Sequence, residues 1–201
     1  IETALAAVAD EPLWRAFTDA CRDHGMEPLD FDAAGISAAI TAAGAFAEAS
    51  NRRRVLEALD GLAVTHVGHV ANGFFERPPG TVTFMGERPF DECVSLMKRS
   101  RLVLNSLSVF PEGSHERIWY GMAAAAVVVT DPSTFVAEDF THGKNILFWP
   151  SDPADSAMMV ADALADTGRL DEMAAAAMAI YTAKHTWASR AKIIERAING
   201  A

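Results

Sequence analysis

Two patterns of hydrophobic residues divide the chain near residue 60. Before that point, apolar residues recur at helical spacing in segments rich in Ala, Glu and Arg. This pattern predicts two or three helices, separated by residues 25–28 and by Gly35. After Gly61, short apolar runs alternate with helical segments. We therefore predict a helical segment over residues 1–60 and an α/β domain over residues 61–201.

The α/β part contains five apolar runs of strand length. The predicted strands cover residues 62–67, 81–85, 101–106, 126–130 and 145–149. The run at 126–130, Ala-Val-Val-Val-Thr, is of the kind that parallel sheets bury on both faces. The predicted helices cover residues 89–100, 114–124, 153–166, 169–184 and 186–197, with a helical turn at 135–140. Strands that alternate with helices indicate a Rossmann-like doubly wound parallel sheet, here followed by C-terminal helices.

The carboxyl ends of the strands in such a sheet are where ligands bind. The strand at 101–106 delivers Asn105 to that edge, and the following loop contains Pro111-Glu112-Gly113. Ser114 stands where an N-cap belongs, and His115-Glu116-Arg117 opens the next helix. A helix N-terminus at this edge presents unpaired N–H groups and the positive end of the dipole, which suit a phosphate. This loop-to-helix junction is the predicted ligand site.

Individual side chains at the junction have both functional and structural interpretations. Gly113 would let the backbone approach a ligand closely, and Arg117 would add a bidentate contact to phosphate. Glu112 and Glu116 would accept hydrogen bonds from sugar hydroxyls. Ser114 also caps helices without any ligand, and Glu116 also complements the helix dipole. The combination of His, Glu and Arg in one first turn, directly after a glycine, favours the functional interpretation.

Composition and charge restrict the partners. The net charge of -10 argues against nonspecific binding to nucleic acid or to anionic membrane. No apolar run approaches the ~20 residues that a membrane span needs. The two cysteines, Cys21 and Cys93, are far apart and lack metal-ligand spacing, so we expect reduced thiols, a cytoplasmic location and no metal site. The Arg52-Arg53-Arg54 run has two interpretations, a solvated helix face or a phosphate clamp, and the solvated face is favoured.

The segment from Asn105 to Trp149 resembles the donor-binding half of glycosyltransferases of the GT-B type, in particular the branch described as glycosyl transferase group 1 or spore-maturation-protein-like. A weaker resemblance extends from Arg52 to Ala197. The residues that carry it are Asn105 after the strand, His115-Glu116-Arg117 at the helix start, Met122-Ala123-Ala124-Ala125 in the turn, Thr130-Asp131 at the next strand end, and Gly143-Lys144 before the last strand.

This resemblance implies an activity and its partners. The domain would be the C-terminal half of a two-domain enzyme, and would bind a nucleotide-diphosphate sugar as substrate without a metal or other cofactor. The N-terminal GT-B domain of the same protein would supply the acceptor site. Since 201 residues are too few for two such domains, and the chain begins at Ile1 without Met, we expect a piece of a longer protein. The isolated chain would then bind donor weakly and not turn it over.

The resemblance also implies roles for particular residues. Glu112, Glu116 and Arg117 would form the catalytic set, with the glutamates on the sugar and Arg117 on the diphosphate. The first strand would be followed by a diphosphate-contacting loop at Gly68, and the second by a base-binding edge at Gly86. The remaining donor-binding candidates are Asn105, Gly113, Ser114, His115 and Tyr120.

Two positions depart from the family pattern. Tyr120 stands where the wider GT-B group has a second glutamate for the ribose, and Ala125 replaces the usual glycine of the turn. These departures favour an alternative hypothesis, a noncatalytic GT-B-like module that binds nucleotide or another protein. A third hypothesis, an epimerase of the same fold, requires more acid–base residues than the chain offers.

Overall fold

A computed structural model describes residues 13–27, 32–107 and 111–200, and the structural statements below refer to these residues. The predicted helical residues 1–12, Pro28 of the predicted break and loop residues 108–110 lie outside them. No helix of the described ranges combines the length and the apolar character needed to cross a membrane.

Two helices precede the sheet. Helix α1 spans Leu13–Asp23 and helix α2 spans Ala33–Ala58. The predicted break after α1 is confirmed, because Gly25 has a left-handed φ of 66° and the chain leaves the helix there. The predicted break at Gly35 is wrong. Gly35 lies in the first turn of α2, where its N–H donates to Asp32 Oδ1 at 2.5 Å, so the Asp32 N-cap starts a helix that the alanines then continue.

All five predicted strands are present, and each pairs in parallel. Strand β1 (Val64–His66) pairs with β2 (Val82–Phe84). A second sheet has the order β3 (Leu102–Leu104), β4 (Val127–Thr130) and β5 (Leu147–Phe148). The Rossmann-like α/β prediction is confirmed, although its described strands are divided between two sheets and are shorter than predicted.

Helices connect the strands of the larger sheet. Helix α3 (Phe90–Lys98) precedes β3, α4 (Glu116–Ala123) joins β3 to β4, and the short α5 (Thr134–Ala137) follows β4. After β5 come a 3-10 turn and four helical segments, which are α6 (Ser156–Ala165), α7 (Thr167–Ile180), a π-helical segment (Tyr181–His185) and α8 (Trp187–Asn199). The C-terminal helices therefore agree with the prediction.

The connection between β1 and β2 differs from the alternating pattern, because residues 67–81 contain no helix. Phe75 from this connection is buried with Val82 of β2 and Leu56 of α2, and Phe74 packs against the same cluster. Two adjacent aromatic side chains thus cover the surface that a crossover helix would otherwise cover.

The core is centred on β4, in which every residue is fully buried. Val127 and Val129 face a cluster that includes Leu59 of α2 and Leu170 of α7. Val128 faces the opposite cluster, with residues of α4 and α5. The prediction that this strand is buried on both faces is therefore confirmed.

Helix α4 lies unusually close to the sheet because of one glycine. A Cβ added at Gly121 would lie 2.9 Å from Val128 Cγ2 and 3.1 Å from Val103 Cβ. The helix ends in a Schellman motif, in which Ala126 N–H donates to Gly121 O and Ala125 N–H donates to Met122 O. This close packing fixes the N-terminus of α4 at the carboxyl edge of β3 and β4.

Candidate functional site

The N-terminus of α4 is capped by a histidine. His115 has extended backbone, and its Nδ1 accepts a hydrogen bond from Arg117 N–H at 3.2 Å. The prediction of Ser114 as the N-cap is therefore wrong by one residue. Ser114 Oγ instead accepts a hydrogen bond from the indole Nε1 of Trp119 at 3.2 Å, so the hydroxyl is directed along the helix and its place at the cap is taken by the imidazole.

The imidazole of His115 is neutral in this arrangement. Burial lowers its pKa first, and the charge of Arg117 lowers it further. Glu116 Oε2 also lies 3.5 Å from Nδ1, but an ion pair would require a proton on the atom that accepts the backbone hydrogen bond. His115 Nδ1 therefore makes the capping hydrogen bond with Arg117 N–H and no ion pair with Glu116.

Asn105 joins the three strands of the larger sheet at their carboxyl ends. Its side chain is buried, with Nδ2 donating to Thr130 Oγ1 at 3.0 Å and Oδ1 accepting from Arg117 at 2.9 Å. Its backbone N–H donates to Val129 O, and its carbonyl accepts from Trp149 Nε1 at 2.8 Å. The predicted site residue is thus the centre of a satisfied polar network, which holds Arg117 in one direction.

Arg117 is the charged group at the centre of the site. Its guanidinium is largely buried between the α4 N-terminus and the sheet edge, and burial followed by the charge of Arg52 lowers its pKa. A guanidinium nevertheless keeps its proton in proteins. One of its nitrogens donates to Asn105, and its other donors make no hydrogen bond to the residues that the structure describes, so they could contact an anion.

Asp131 directly follows β4, and the sequence indicated it only as one of the residues that carry the family resemblance. Its Oδ2 accepts the N–H of Leu107 at 2.7 Å, which ties the start of the loop after β3 to the end of β4. Burial raises the pKa of this carboxyl group, while the hydrogen bonds from Leu107 and Asn51 lower it. The carboxylate therefore shapes the loop that leads to the site.

Glu112 and Gly113 lie in the turn before α4. The turn is tied to α5, because Thr134 N–H donates to Pro111 O at 3.1 Å. Glu112 is exposed, as is Glu116 in the first turn of α4, and Gly113 is half-buried between them. Both carboxylates are therefore open to solvent at the start of α4.

Tyr120 lies on α4 one turn after Glu116. Its ring packs edge-on against Phe90 at the start of α3, with 5.0 Å between the ring centroids. The contact connects α4 to α3, so the structure gives this residue a packing role beside its predicted place near the donor.

The two glycines predicted after β1 and β2 lie next to each other. Gly68 N–H donates to Gly86 O at 2.9 Å, and Met85 N–H donates to His66 O at 3.0 Å. Both glycines have left-handed φ values, 132° for Gly68 and 69° for Gly86. The two loops therefore form one continuous edge beyond the smaller sheet.

Helix α2 also reaches the carboxyl edge. Asn51 Nδ2 donates to Ser106 Oγ at 2.9 Å, directly after β3. Arg52 and Arg54 are exposed and Arg53 is half-buried, so the run is only partly a solvated face. Sequence reasoning missed its proximity to the site, since nothing local relates residue 52 to residue 117.

No group of three or more His, Cys, Asp and Glu side chains that would hold a metal ion occurs among the described residues. The polar groups at the carboxyl edge include two arginines, two histidines and the N–H groups of α4, beside the carboxylates of Asp131 and Glu116. Such a set suits an anionic ligand.

The fold and the site together define a class of protein: a Rossmann-like domain with arginine side chains and helix N–H groups at the carboxyl ends of its strands. Comparison with known families identifies the family within this class. The family described as "Glycosyl transferase-like" matches residues 51–196, and the chain belongs to that family. No curated protein has a significant sequence match.

Solved structures show the same fold. Anabaena Alr3699/HepE in complex with UDP-glucose is similar over 75% of this chain and 45% of its own, with 20% identity and a TM-score of 0.62. The same protein in complex with UDP gives 21% identity and a TM-score of 0.63 over the same shares. The C-terminal domain of the glycosyl transferase group 1 protein LpcC from Francisella tularensis covers 53% of this chain and 55% of its own, with 16% identity and a TM-score of 0.46. The chain thus spans less than half the length of HepE.

Proposed function

We propose that the chain is the donor-binding domain of a glycosyltransferase, which moves a sugar from a nucleotide-sugar to an acceptor. The observation that carries this proposal is the buried guanidinium of Arg117, held by Asn105 at the N-terminus of α4. Family membership and the fold shared with HepE, whose structures contain UDP-glucose and UDP, make a uridine nucleotide the first donor to test.

The proposed mechanism is electrostatic. When the bond between sugar and diphosphate breaks, negative charge grows on the departing nucleotide. The N–H groups of α4 and the guanidinium of Arg117 are already oriented toward that charge, so they stabilise the transition state with little reorganisation. Since these groups supply the positive charge, we propose that transfer needs no metal ion and continues in the presence of EDTA.

The other residues take supporting roles in this proposal. Glu112 and Glu116 orient the sugar through its hydroxyl groups, and Gly113 and Ser114 let the diphosphate approach the helix. His115 keeps the first turn of α4 in place, and Asn105 aims Arg117. Tyr120, Gly68 and Gly86 border the nucleoside. An N-terminal GT-B domain of the same protein would bind the acceptor. A cytoplasmic location is also part of the proposal, and the free thiols of Cys21 and Cys93 support it.

Calorimetric titration tests the binding step. The chain is titrated with UDP, ADP, GDP and their glucose conjugates, and Arg117→Gln should weaken the best of them by about tenfold or more, because a charged hydrogen bond is lost. Arg101→Gln removes the same charge at the opposite edge, where Arg101 pairs with Asp171, and should bind like the parent chain.

A transfer assay on the full-length protein tests the reaction. Arg117→Gln should abolish sugar transfer while the melting temperature stays close to that of the parent. If the full-length protein transfers no sugar from any of these donors, and the chain binds none of them, the proposal is wrong.

One observation favours the alternative of a noncatalytic module. Tyr120 is packed against Phe90 at the position where the wider group has a ribose-binding glutamate. In that case UDP binding depends on Arg117 as before, but the full-length parent protein shows no transfer.

A further inference from the structure

Helix α2 is part of the candidate site although it precedes the first strand. Its last turns enter the core, where Leu59 is buried in one cluster with Val127 and Val129 of β4. About two helical turns before Leu59, Asn51 Nδ2 donates a hydrogen bond to Ser106 Oγ, which follows β3. The backbone of residue 52 is therefore fixed beside the carboxyl edge by contacts on both of its sides.

The side chain of Arg52 is fixed as well. Its guanidinium forms an ion pair with Glu48, one helical turn earlier, and is 45% exposed. One face of the guanidinium is thus held by a carboxylate while the rest remains open to solvent. An arginine held in this way loses less conformational entropy when it binds a ligand.

Four cationic or basic groups from four separate segments converge at this edge. They are Arg52 from α2, His66 from β1, His115 before α4 and Arg117 within it. After the effect of burial, the charge of Arg52 lowers the pKa of Arg117 and of His66, and it contributes to the lowered pKa of His115. The guanidinium groups of Arg52 and Arg117 carry like charges that repel each other, and an anion bound between them would relieve the repulsion.

His66 provides an independent sign of a missing partner. Its Nδ1 is buried and makes no hydrogen bond to any described residue. The ring packs against Phe84 of β2 at 5.6 Å between centroids, and after burial the charges of Arg52 and Arg117 lower the pKa of His66. A buried polar atom without a partner is destabilising, and a ligand oxygen would satisfy it.

We propose that Arg52 is a second cationic contact for the donor diphosphate, placed across the carboxyl edge from Arg117, with His66 between them. This inference rests on the proposed function and deepens it. A diphosphate diester carries two negative charges, and the two guanidinium groups would each neutralise one. Helix α2 would then form a wall of the donor site, which the Rossmann-like sheet alone does not supply.

The test compares Arg52→Gln with the parent chain by calorimetric titration against UDP, inorganic pyrophosphate and uridine. We expect UDP and pyrophosphate to bind about tenfold more weakly to the variant, because one charged contact is lost, and uridine to bind equally to both. Arg52→Lys should recover part of the affinity. Arg101→Gln serves as the charge-matched control.

The outcomes separate this inference from the proposed function. If Arg117→Gln weakens UDP binding and Arg52→Gln does not, the role of Arg52 is wrong and the function stands. If pyrophosphate binds in an Arg52-dependent manner and no nucleotide or nucleotide-sugar binds more tightly than pyrophosphate, the anion site stands and the proposed donor is wrong. If the parent chain binds neither pyrophosphate nor any nucleotide, both are wrong.

Discussion

The two sheets present different surfaces at their carboxyl ends. In the larger sheet, β4 is fully buried. Thr130 at the end of β4 accepts a hydrogen bond from the side chain of Asn105, which follows β3. In the smaller sheet, Thr65 and Thr83 are exposed, and the connection between its strands has no helix. The larger sheet contributes oriented side chains to the site, and the smaller one contributes backbone through Gly68 and Gly86.

The difference shows what burial does for a binding site. A helix packed closely on a sheet excludes water from the polar groups at its start, so each must find a partner, and the partners fix its direction. A connection covered only by Phe74 and Phe75 leaves the loop residues near solvent. We therefore expect substitutions in the larger sheet to change stability and binding together, and those in the smaller sheet to change them less.

Gly121→Ala should produce the largest difference between the sheets. The new methyl would lie 2.9 Å from Val128 Cγ2 and 3.1 Å from Val103 Cβ, so α4 must move away from the sheet. We expect about 2 kcal/mol of lost stability in urea unfolding, together with weaker UDP binding. Gly80 lies in the connection between the strands of the smaller sheet. Gly80→Ala has no atom within 4 Å of the new methyl and should be nearly neutral. Equal effects of the two changes would contradict the comparison.

His115→Ala should have a smaller effect that depends on pH. Loss of the cap should cost about 1 kcal/mol at pH 7, whereas His115→Asn keeps a capping oxygen and should cost little. Because burial lowers the pKa of His115, its contribution is present above about pH 6.5 and is lost as the pH falls, when the unfolded chain takes up the proton first. Urea unfolding between pH 5 and pH 7 should therefore show a shallower pH dependence for His115→Asn than for the parent.

The comparison extends to His66 in the smaller sheet. Burial lowers the pKa of His66 as well, but its Nδ1 has no hydrogen-bond partner within the described part of the chain. His66→Phe should also reduce the pH dependence without the loss of stability at pH 7 that His115→Ala shows. A loss of similar size in both variants at pH 7 would mean that His66 has a structural partner.

Ala125→Gly should give the smallest effect, and a favourable one. Ala125 has a φ of 59° at the end of α4, where glycine is preferred. Relief of the left-handed strain exceeds the entropy that glycine gains in the unfolded chain, so we expect a stability gain of about 0.5–1 kcal/mol. Gly73→Ala, at a φ of 77° with no neighbouring atoms, is the reverse change in the smaller sheet and should lose a similar amount.

Much of the fold could be predicted because its signals are local. The continuous apolar run before Asp131 indicated a buried parallel strand, and residues 114–124 indicated the helix that became α4. No helix was predicted between residues 67 and 81, and none is present there. The part that could not be predicted is the tertiary packing of Phe74 and Phe75 against the cluster of Leu56 and Val82. Gly121 was a missed signal: an isolated glycine within a helical pattern often marks close packing.

The candidate site was predicted in part for the same reason. Asn105 and Arg117 were found because a strand end and a helix start lie close in sequence. Ser114 was given the cap because serine usually takes it, whereas His115 competes only once the loop is folded. Arg52 and His66 were not found, because their relation to Arg117 depends on long-range packing of α2 and β1 that no local pattern encodes.

The burial of Leu56 and Leu59 has a practical consequence for where the protein can be shortened. A cut at residue 60, where the composition changes, would remove Leu59 from the cluster around β4 and Leu56 from the cluster around Phe75. The exposed surface left behind would favour aggregation. A stable minimal unit should therefore begin no later than Asp32, the residue that caps α2.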